Sequence, residues 1–339
     1  MSLAGAVAIL NRSVTGPSKE DALVDASWAR VPIEPQSVNA PLSQSAIFLV
    51  VTVGESDAAR DAVMGVVADI GALVRAVGFR DLSAHLSCIV GIGRDLWDRL
   101  GRASRPLQLH RFSAIRGDRH TAVSTSGDLL FHIRAERADF CFELERLLLD
   151  KLGSDVNVED EVTGFRYFDS RDLLGFVDGT ENPMGAAVDR DTIIGEEDRD
   201  FAGGSYVVVQ KYLHDLEGWA TLSVAEQERI IGRTKADNVE LEDDGARLSH
   251  KGLNTVTGFD GIERDILRDN MPFGRPGQKE FGTYFIGYAA DLSTIEAMLK
   301  RMFIGSPPGD YDRILDFSTA LTGSTYFVPS NELLESLGG

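Results

Sequence analysis

Gly175-Phe176-Val177-Asp178-Gly179-Thr180-Glu181-Asn182-Pro183 stands near the middle of the chain, in a loop that leaves one half and enters the other. Two glycines bracket a single carboxylate. Glycine reaches backbone angles closed to other residues and lets a flat ligand approach the main chain closely. Asn182 precedes a proline and is therefore held toward extended geometry. Taken alone, Asp-Gly in a loop reads as a turn, because the aspartate bonds nearby amides. Partners further along the chain give Asp178 a chemical meaning.

Moving outward, residues 45–53 form a run rich in β-branched side chains that stops at Gly54, the pattern of a buried strand. Residues 57–77 repeat apolar positions at helical spacing (Val63, Val66, Val67, Ile70, Val74) and predict one amphipathic helix. Strands follow at 86–92, 128–136 and 161–168, with a second long helix over 138–151. Gly91-Ile92-Gly93 fails as a dinucleotide fingerprint, since Leu96 occupies the third glycine position. Beyond the central loop come an acidic connector at 189–200, a strand at 204–213 and a helix at 223–231. That helix opens on a Ser223 cap with Glu226 in its first turn. A strand at 282–290, a helix at 293–303 and a strand at 324–329 complete the order. The fold class is α+β, with antiparallel sheets covered by helices in a ferredoxin-like arrangement, and the second half repeats the first in element order. The expected organisation is an irregular arm over 1–44, an N-terminal domain over 45–175 and a C-terminal domain over 176–339.

The chain has 339 residues, 43% hydrophobic and 26% charged, enough for two soluble domains. Lys+Arg 34 against Asp+Glu 53 gives a formal charge of -19, which argues against a nucleic-acid partner. No apolar run approaches the roughly 20 residues that span a bilayer, and the short stretch 3–10 lacks the basic start of a secretory signal. Two distant cysteines, Cys88 and Cys141, suggest buried thiols in a reducing, cytoplasmic setting. The acidic run 237–244 fails as a calcium loop, because it lacks the central glycine and carries Leu248 where a bidentate glutamate belongs.

None of the six histidines has the spacing of a metal-binding pair. His132 and His214 lie within strand patterns and read as packed residues. His250 sits in a loop, Leu248-Ser249-His250-Lys251-Gly252, where function is more common. Eighteen residues on, Arg268 and Asn270 flank Asp269. In an extended segment both project to one side. No serine or cysteine nucleophile accompanies this set, so a hydrolase is a poor reading. One histidine for an iron, with a carboxylate and a cation for peroxide, suits a haem.

With those residues in view, the sequence resembles the dye-decolourising peroxidases, in particular their bacterial B-type group, from about Ala46 to Pro329. The resemblance rests on Gly175 to Gly179 (GxxDG), Gly232-Arg233-Thr234-Lys235, Ser249-His250, Arg268 to Phe273, Gly282 to Gly287 and Arg313 to Ala320. It implies two ferredoxin-like domains and one haem b per chain, bound between sheet and helices. By motif match His250 is the axial iron ligand, and Asp178, Arg268 and Asn270 form the distal pocket. Glu181, Asn182 and Pro183 line the haem, and Arg233 pairs with a haem propionate. Asp312 and Asp316 are the candidates for a carboxylate behind His250.

The implied activity is oxidation of dyes, phenolic compounds or other one-electron donors, Mn²⁺ among them, by hydrogen peroxide through an oxoferryl intermediate. Tyr167, Tyr288, Tyr326 and Trp219 are candidate electron relays, against a simpler reading as packing aromatics. The alternative is a haem-binding or carrier protein with little turnover. Relatives form dimers or hexamers, so a homo-oligomer is expected. Some relatives enter encapsulin shells through a C-terminal tail; the sequence up to Leu337-Gly338-Gly339 gives that expectation no support.

Overall fold

Ser45–Val53 is almost wholly apolar and rich in β-branched side chains, and it becomes β1, buried along most of its length between two neighbouring strands. This computed structural model describes residues 33–242, 247–257, 261 and 263–338. The expected arm therefore falls largely outside the described residues, as does part of the acidic run 237–244. Residues 34–44 are described, and Gln36 pins them to the sheet. Its amide donates to the Val90 and Pro329 carbonyls (both 3.0 Å) and accepts from Val90 N (2.8 Å).

After β1 come α1 (Asp57–Ala68), α2 (Ile70–Gly78), β2 (Ser87–Gly93), β3 (Leu129–Ala135), α3 (Ala138–Leu152) and β4 (Val156–Phe165). The single helix expected over 57–77 is broken at Asp69 (φ -93°, ψ 9°). The apolar stripe runs across the break unbroken, so periodicity could not reveal it. The second half supplies β5 (Ser205–His214), α4 (Val224–Ile231), α5 (His250–Asn254), β6 (Leu267–Arg268), β7 (Met271–Arg275), β8 (Glu280–Ala289), α6 (Leu292–Ile304), β9 (Ser318–Ala320) and β10 (Ser324–Val328). Ser223 and Glu226 cap α4 reciprocally, as the serine suggested.

These ten strands make one antiparallel sheet in the order β6-β8-β5-β10-β2-β3-β1-β4, with β7 paired to β8 and β9 to β5. Each half thus has its four long strands in the ferredoxin-like order, β4-β1-β3-β2 and β10-β5-β8-β7. The halves join edge to edge through β10 and β2, where Tyr326 faces Gly93. The far ends also approach one another. A Cβ added to Gly164 of β4 would lie 2.6 Å from Met271 Cβ of β7, so only glycine permits this contact.

The curled sheet has two buried faces. One packs on α1, α2, α3 and α6 through side chains such as Leu49, Phe131, Leu144 and Leu299. The other, led by Phe48, Val209, Tyr284, Ile286 and Tyr288, fills the interior of the curl. Burying such apolar side chains stabilises the fold by about 1.5–3 kcal/mol each. On β8, successive residues alternate between faces, and that alternation places the site.

Candidate active site

Asp172 folds the loop after β4 back on itself. Its N–H donates to the Phe176 carbonyl (2.8 Å), its carbonyl accepts from Gly175 N (3.1 Å), and its Oδ1 accepts from Phe176 N (2.9 Å). Gly175 takes φ +95°, a backbone conformation that strains any residue with a side chain. Arg171 fastens the turn by donating to the carbonyls of Gly175 (2.9 Å) and Lys235 (2.6 Å). The turn presents Asp178, whose Oδ1 accepts from Gly179 N at 2.7 Å.

Arg268 and Asn270 come to this loop from the end of β6. Both side chains line one cavity, while Asp269 between them points away to Arg134 (2.9 Å) and Arg166 (3.3 Å). This is the period-two alternation expected of an extended segment. Asn270 Oδ1 accepts from Ile286 N (3.1 Å) of β8, and its Nδ2 donates to Asp178 Oδ1 (3.3 Å). The Arg268 guanidinium reaches only Met298 Sδ (3.5 Å) and makes no ion pair among the described residues. Burial lowers its pKa, against the opposing pull of Asp178, Asp265 and Glu181. A cation so placed attracts negative charge that enters the cavity or develops in it.

His250 lines the same cavity from α5, a single turn capped by Ser249, whose hydroxyl accepts from Gly252 N (3.2 Å). Its Nδ1 lies 2.6 Å from Asp312 Oδ2, and Asp312 is fully buried. Burial disfavours the imidazolium, but Asp312 outweighs it and the pKa rises. With Nδ1 tied to a carboxylate, Nε2 is the nitrogen left to coordinate a metal. Asp316 instead engages His120 (3.0 Å) and Tyr311 (2.9 Å), so of the two candidate carboxylates Asp312 is the one that meets His250.

His214 also lines the cavity, yet both its ring nitrogens are engaged, Nδ1 with Ser318 Oγ (2.8 Å) and Nε2 with Thr283 Oγ1 (2.9 Å). Burial pushes it down to about 4, which keeps the ring neutral. The cavity's empty space, mouth included, is about 960 Å³, and Ile231, Ile295, Leu299 and Ile314 wall it. Aliphatic walls, one imidazole with an available Nε2, and a polar Asp-Arg-Asn group fit a flat, apolar macrocycle whose metal takes one axial ligand.

Comparison with known proteins identifies the family. Residues 35–166 match the family model for the N-terminal part of Dyp-type peroxidases, and residues 169–333 match the model for the C-terminal part. The chain belongs to the Dyp-type peroxidase family. A dye-decolorizing peroxidase of Mycobacterium tuberculosis is 55% identical over 89% of this chain and 90% of its own length. A variant of DypB from Rhodococcus jostii RHA1, solved in complex with heme, is 56% identical with a TM-score of 0.88, covering 91% of this chain and 100% of that one. Another DypB variant, 56% identical, was solved in complex with manganese (TM-score 0.87, covering 90% and 99%). The encapsulated DyP-type peroxidase of Mycobacterium smegmatis is 54% identical, with a TM-score of 0.87 and coverage of 90% and 98%.

In this Dyp-type peroxidase, Glu181, Asn182, Pro183 and Arg233 stand outside the residues that line the cavity. Arg233 donates to Glu181 Oε1 (2.6 Å) and Asn238 Oδ1 (2.8 Å), which closes the loop over its own neighbours. Asn182 has a different place. Its Nδ2 donates to the Arg268 carbonyl (2.8 Å) and its Oδ1 accepts from Arg268 N (2.9 Å). A side-chain amide thus pairs with the Arg268 main chain as a neighbouring strand would. Sequence reasoning missed Asp172 as a cavity residue. Burial, aided by Asp178, raises its pKa to about 7, but in sequence it reads as an ordinary turn residue.

Proposed function

We propose that this Dyp-type peroxidase binds one haem b in the cavity and reduces hydrogen peroxide there, with His250, Asp178, Arg268 and Asn270 as the working residues. The supporting observation is that these four side chains line one cavity, with the Arg268 guanidinium unpaired among the described residues. When bound, haem supplies an iron for the peroxide oxygen and the redox equivalents for cleaving the O–O bond. His250 offers Nε2 as the axial ligand, and Asp312 at Nδ1 raises its basicity. Asp178 takes the proton from the inner peroxide oxygen and returns it to the outer one. Asn270 holds that carboxylate at 3.3 Å and is itself fixed by β8. Arg268 stabilises the negative charge on the departing oxygen.

Electrons then come one at a time from dyes, phenols or Mn²⁺. The manganese complex of the DypB variant supports that last donor. The four working residues all fall in 176–339, which we take as the haem-binding C-terminal domain, with 45–175 as its N-terminal partner. We further infer a cytoplasmic homo-oligomer, dimer or hexamer. No described helix is long and apolar enough to cross a membrane.

Haem titration followed by peroxide mixing tests this reading. His250→Ala should lose haem or its normal Soret band, and His214→Ala should keep both. A normal histidine-type spectrum in His250→Ala refutes the ligand assignment. Haem-loaded wild-type protein without peroxide-dependent turnover would favour the haem carrier instead.

A further inference from the structure

α6 turns one face to the haem cavity, with Ile295, Met298, Leu299 and Met302 in its lining at the i, i+3, i+4, i+7 spacing of a single helical stripe. Met298 differs from its neighbours. Its Sδ lies 3.5 Å from Arg268 Nη2 and is the one group that the guanidinium reaches among the described residues. A thioether is a weak, soft acceptor, so it leaves most of the guanidinium donors unanswered. The same sulfur is oxidisable, since methionine passes to its sulfoxide by gaining one oxygen.

Exposure ordinarily ranks methionines for this reaction, because peroxide must reach the sulfur from bulk solvent. By that rule Met184, 84% exposed, comes first. Met298 is 3% exposed, Met302 is 9%, and Met64 and Met271 are packed in the two cores. The cavity overrides the rule at Met298. There a guanidinium stands beside the sulfur, and the Asp178 carboxylate lines the same space. Met302 shares the cavity, but no hydrogen-bond donor reaches its sulfur among the described residues.

We propose that Met298 is a self-oxidation site that limits the peroxidase: peroxide entering the cavity converts its thioether to the sulfoxide, whose oxygen then holds Arg268. This rests on the reading above that peroxide is used in this cavity. In the step, a sulfur lone pair forms a bond to one peroxide oxygen and the O–O bond breaks. Sulfur gives up two electrons to the peroxide. Asp178 moves the proton from the transferred oxygen to the departing one, which leaves as water. Arg268 stabilises charge on the departing oxygen here as it does in peroxide cleavage.

The product changes what Arg268 meets. A sulfoxide oxygen is polar and a far stronger acceptor than the thioether, and it is bonded to a sulfur already 3.5 Å from Arg268 Nη2. A hydrogen bond from a charged donor is stronger than a neutral one, so the guanidinium is drawn to the oxide and away from peroxide. Ile295 and Leu299 beside Met298 offer the oxide no competing donor. Each oxidation therefore slows the use of peroxide by that molecule.

The test exposes haem-loaded protein to hydrogen peroxide without an electron donor, removes the peroxide, and maps added oxygen on each methionine by peptide mass spectrometry. Met298 should gain oxygen at least about tenfold faster than Met184 or Met302, and Arg268→Leu should slow Met298 by about 10²–10³ while Met184 keeps its rate. The treated protein is then mixed with fresh peroxide, and the Soret change is followed per intact haem. Wild type should be at least about tenfold slower than before treatment. Met298→Leu, which nearly conserves side-chain volume, should hold its own starting rate. Oxidation of Met184 ahead of Met298, or of Met298 at an equal rate in Arg268→Leu, overturns the proposal. So does an unchanged Soret rate in protein whose Met298 is oxidised. A missing Soret change in untreated wild type would indict the peroxidase reading instead, and the methionine map would still decide for or against Met298.

Discussion

Replacing Asn182 with alanine separates a clamp from a haem contact. The Asn182 amide makes two hydrogen bonds with the Arg268 main chain, accepting from its N–H at 2.9 Å and donating to its carbonyl at 2.8 Å. Each contributes about 0.5–1.5 kcal/mol net, so Asn182→Ala should cost about 1–3 kcal/mol of stability. The larger effect should be on chemistry. Released from its partner, the Arg268 backbone can shift, and a displacement of about 1 Å at a reacting group costs about 10² in rate. Haem affinity should hardly move, because Asn182 is not among the residues that line the cavity. Asn182→Asp should fail similarly, since a carboxylate still accepts from Arg268 N but repels its carbonyl. Stopped-flow mixing with peroxide, beside a haem titration of each variant, reads the two effects independently. If Asn182→Ala loses haem while the haem it retains reacts at the wild-type rate, the clamp is refuted and Asn182 is a haem contact.

Asp178→Asn should slow the reaction with peroxide at neutral pH by about 10²–10⁴, the usual cost of removing a general base. The deficit should shrink as pH rises, because hydroperoxide anion arrives already deprotonated; a wild-type rate at neutral pH would remove Asp178 as the base. Away from the site, Glu145 is 7% exposed with Oε1 unpartnered, and burial, with Glu161 nearby, raises its pKa to about 7. Between its unfolded value and that one the folded state binds more protons, so stability falls as pH rises through this window. Glu145→Gln should therefore gain about 1–3 kcal/mol at pH 8 and little at pH 4, and denaturant unfolding at both pH values will show whether the gain is confined to the alkaline side.

How far the chain could be read beforehand follows from what each element buries. β1 and β3 are covered on both faces, so strongly apolar stretches announced them, although β3 also buries His132 and Arg134. β4 begins with Val156-Asn157-Val158-Glu159-Asp160 on the sheet's edge, largely exposed and bulged. It has neither an apolar run nor a clean alternation, and its first five residues escaped notice. β6 is two residues long and leaves no pattern of its own. Of the four residues that line the cavity, Asp178 and His250 were picked out by loop position and motif, and Arg268 and Asn270 by motif and by strand alternation. Asn182 carried a motif but not its contact, since pairing with Arg268 spans 86 residues and depends on how two loops meet.

Cleavage of peroxide in this cavity calls most directly on Arg268, a desolvated cation with no carboxylate partner among the described residues. Arg268→Leu, loaded with haem and mixed with peroxide in a stopped-flow instrument, should show a Soret change about 10²–10³ slower than wild type. The loss should persist at high pH, where Asp178→Asn recovers, because the departing oxygen still develops charge without a partner. A rate within threefold of wild type at neutral pH, in a variant that binds haem normally, would contradict the account.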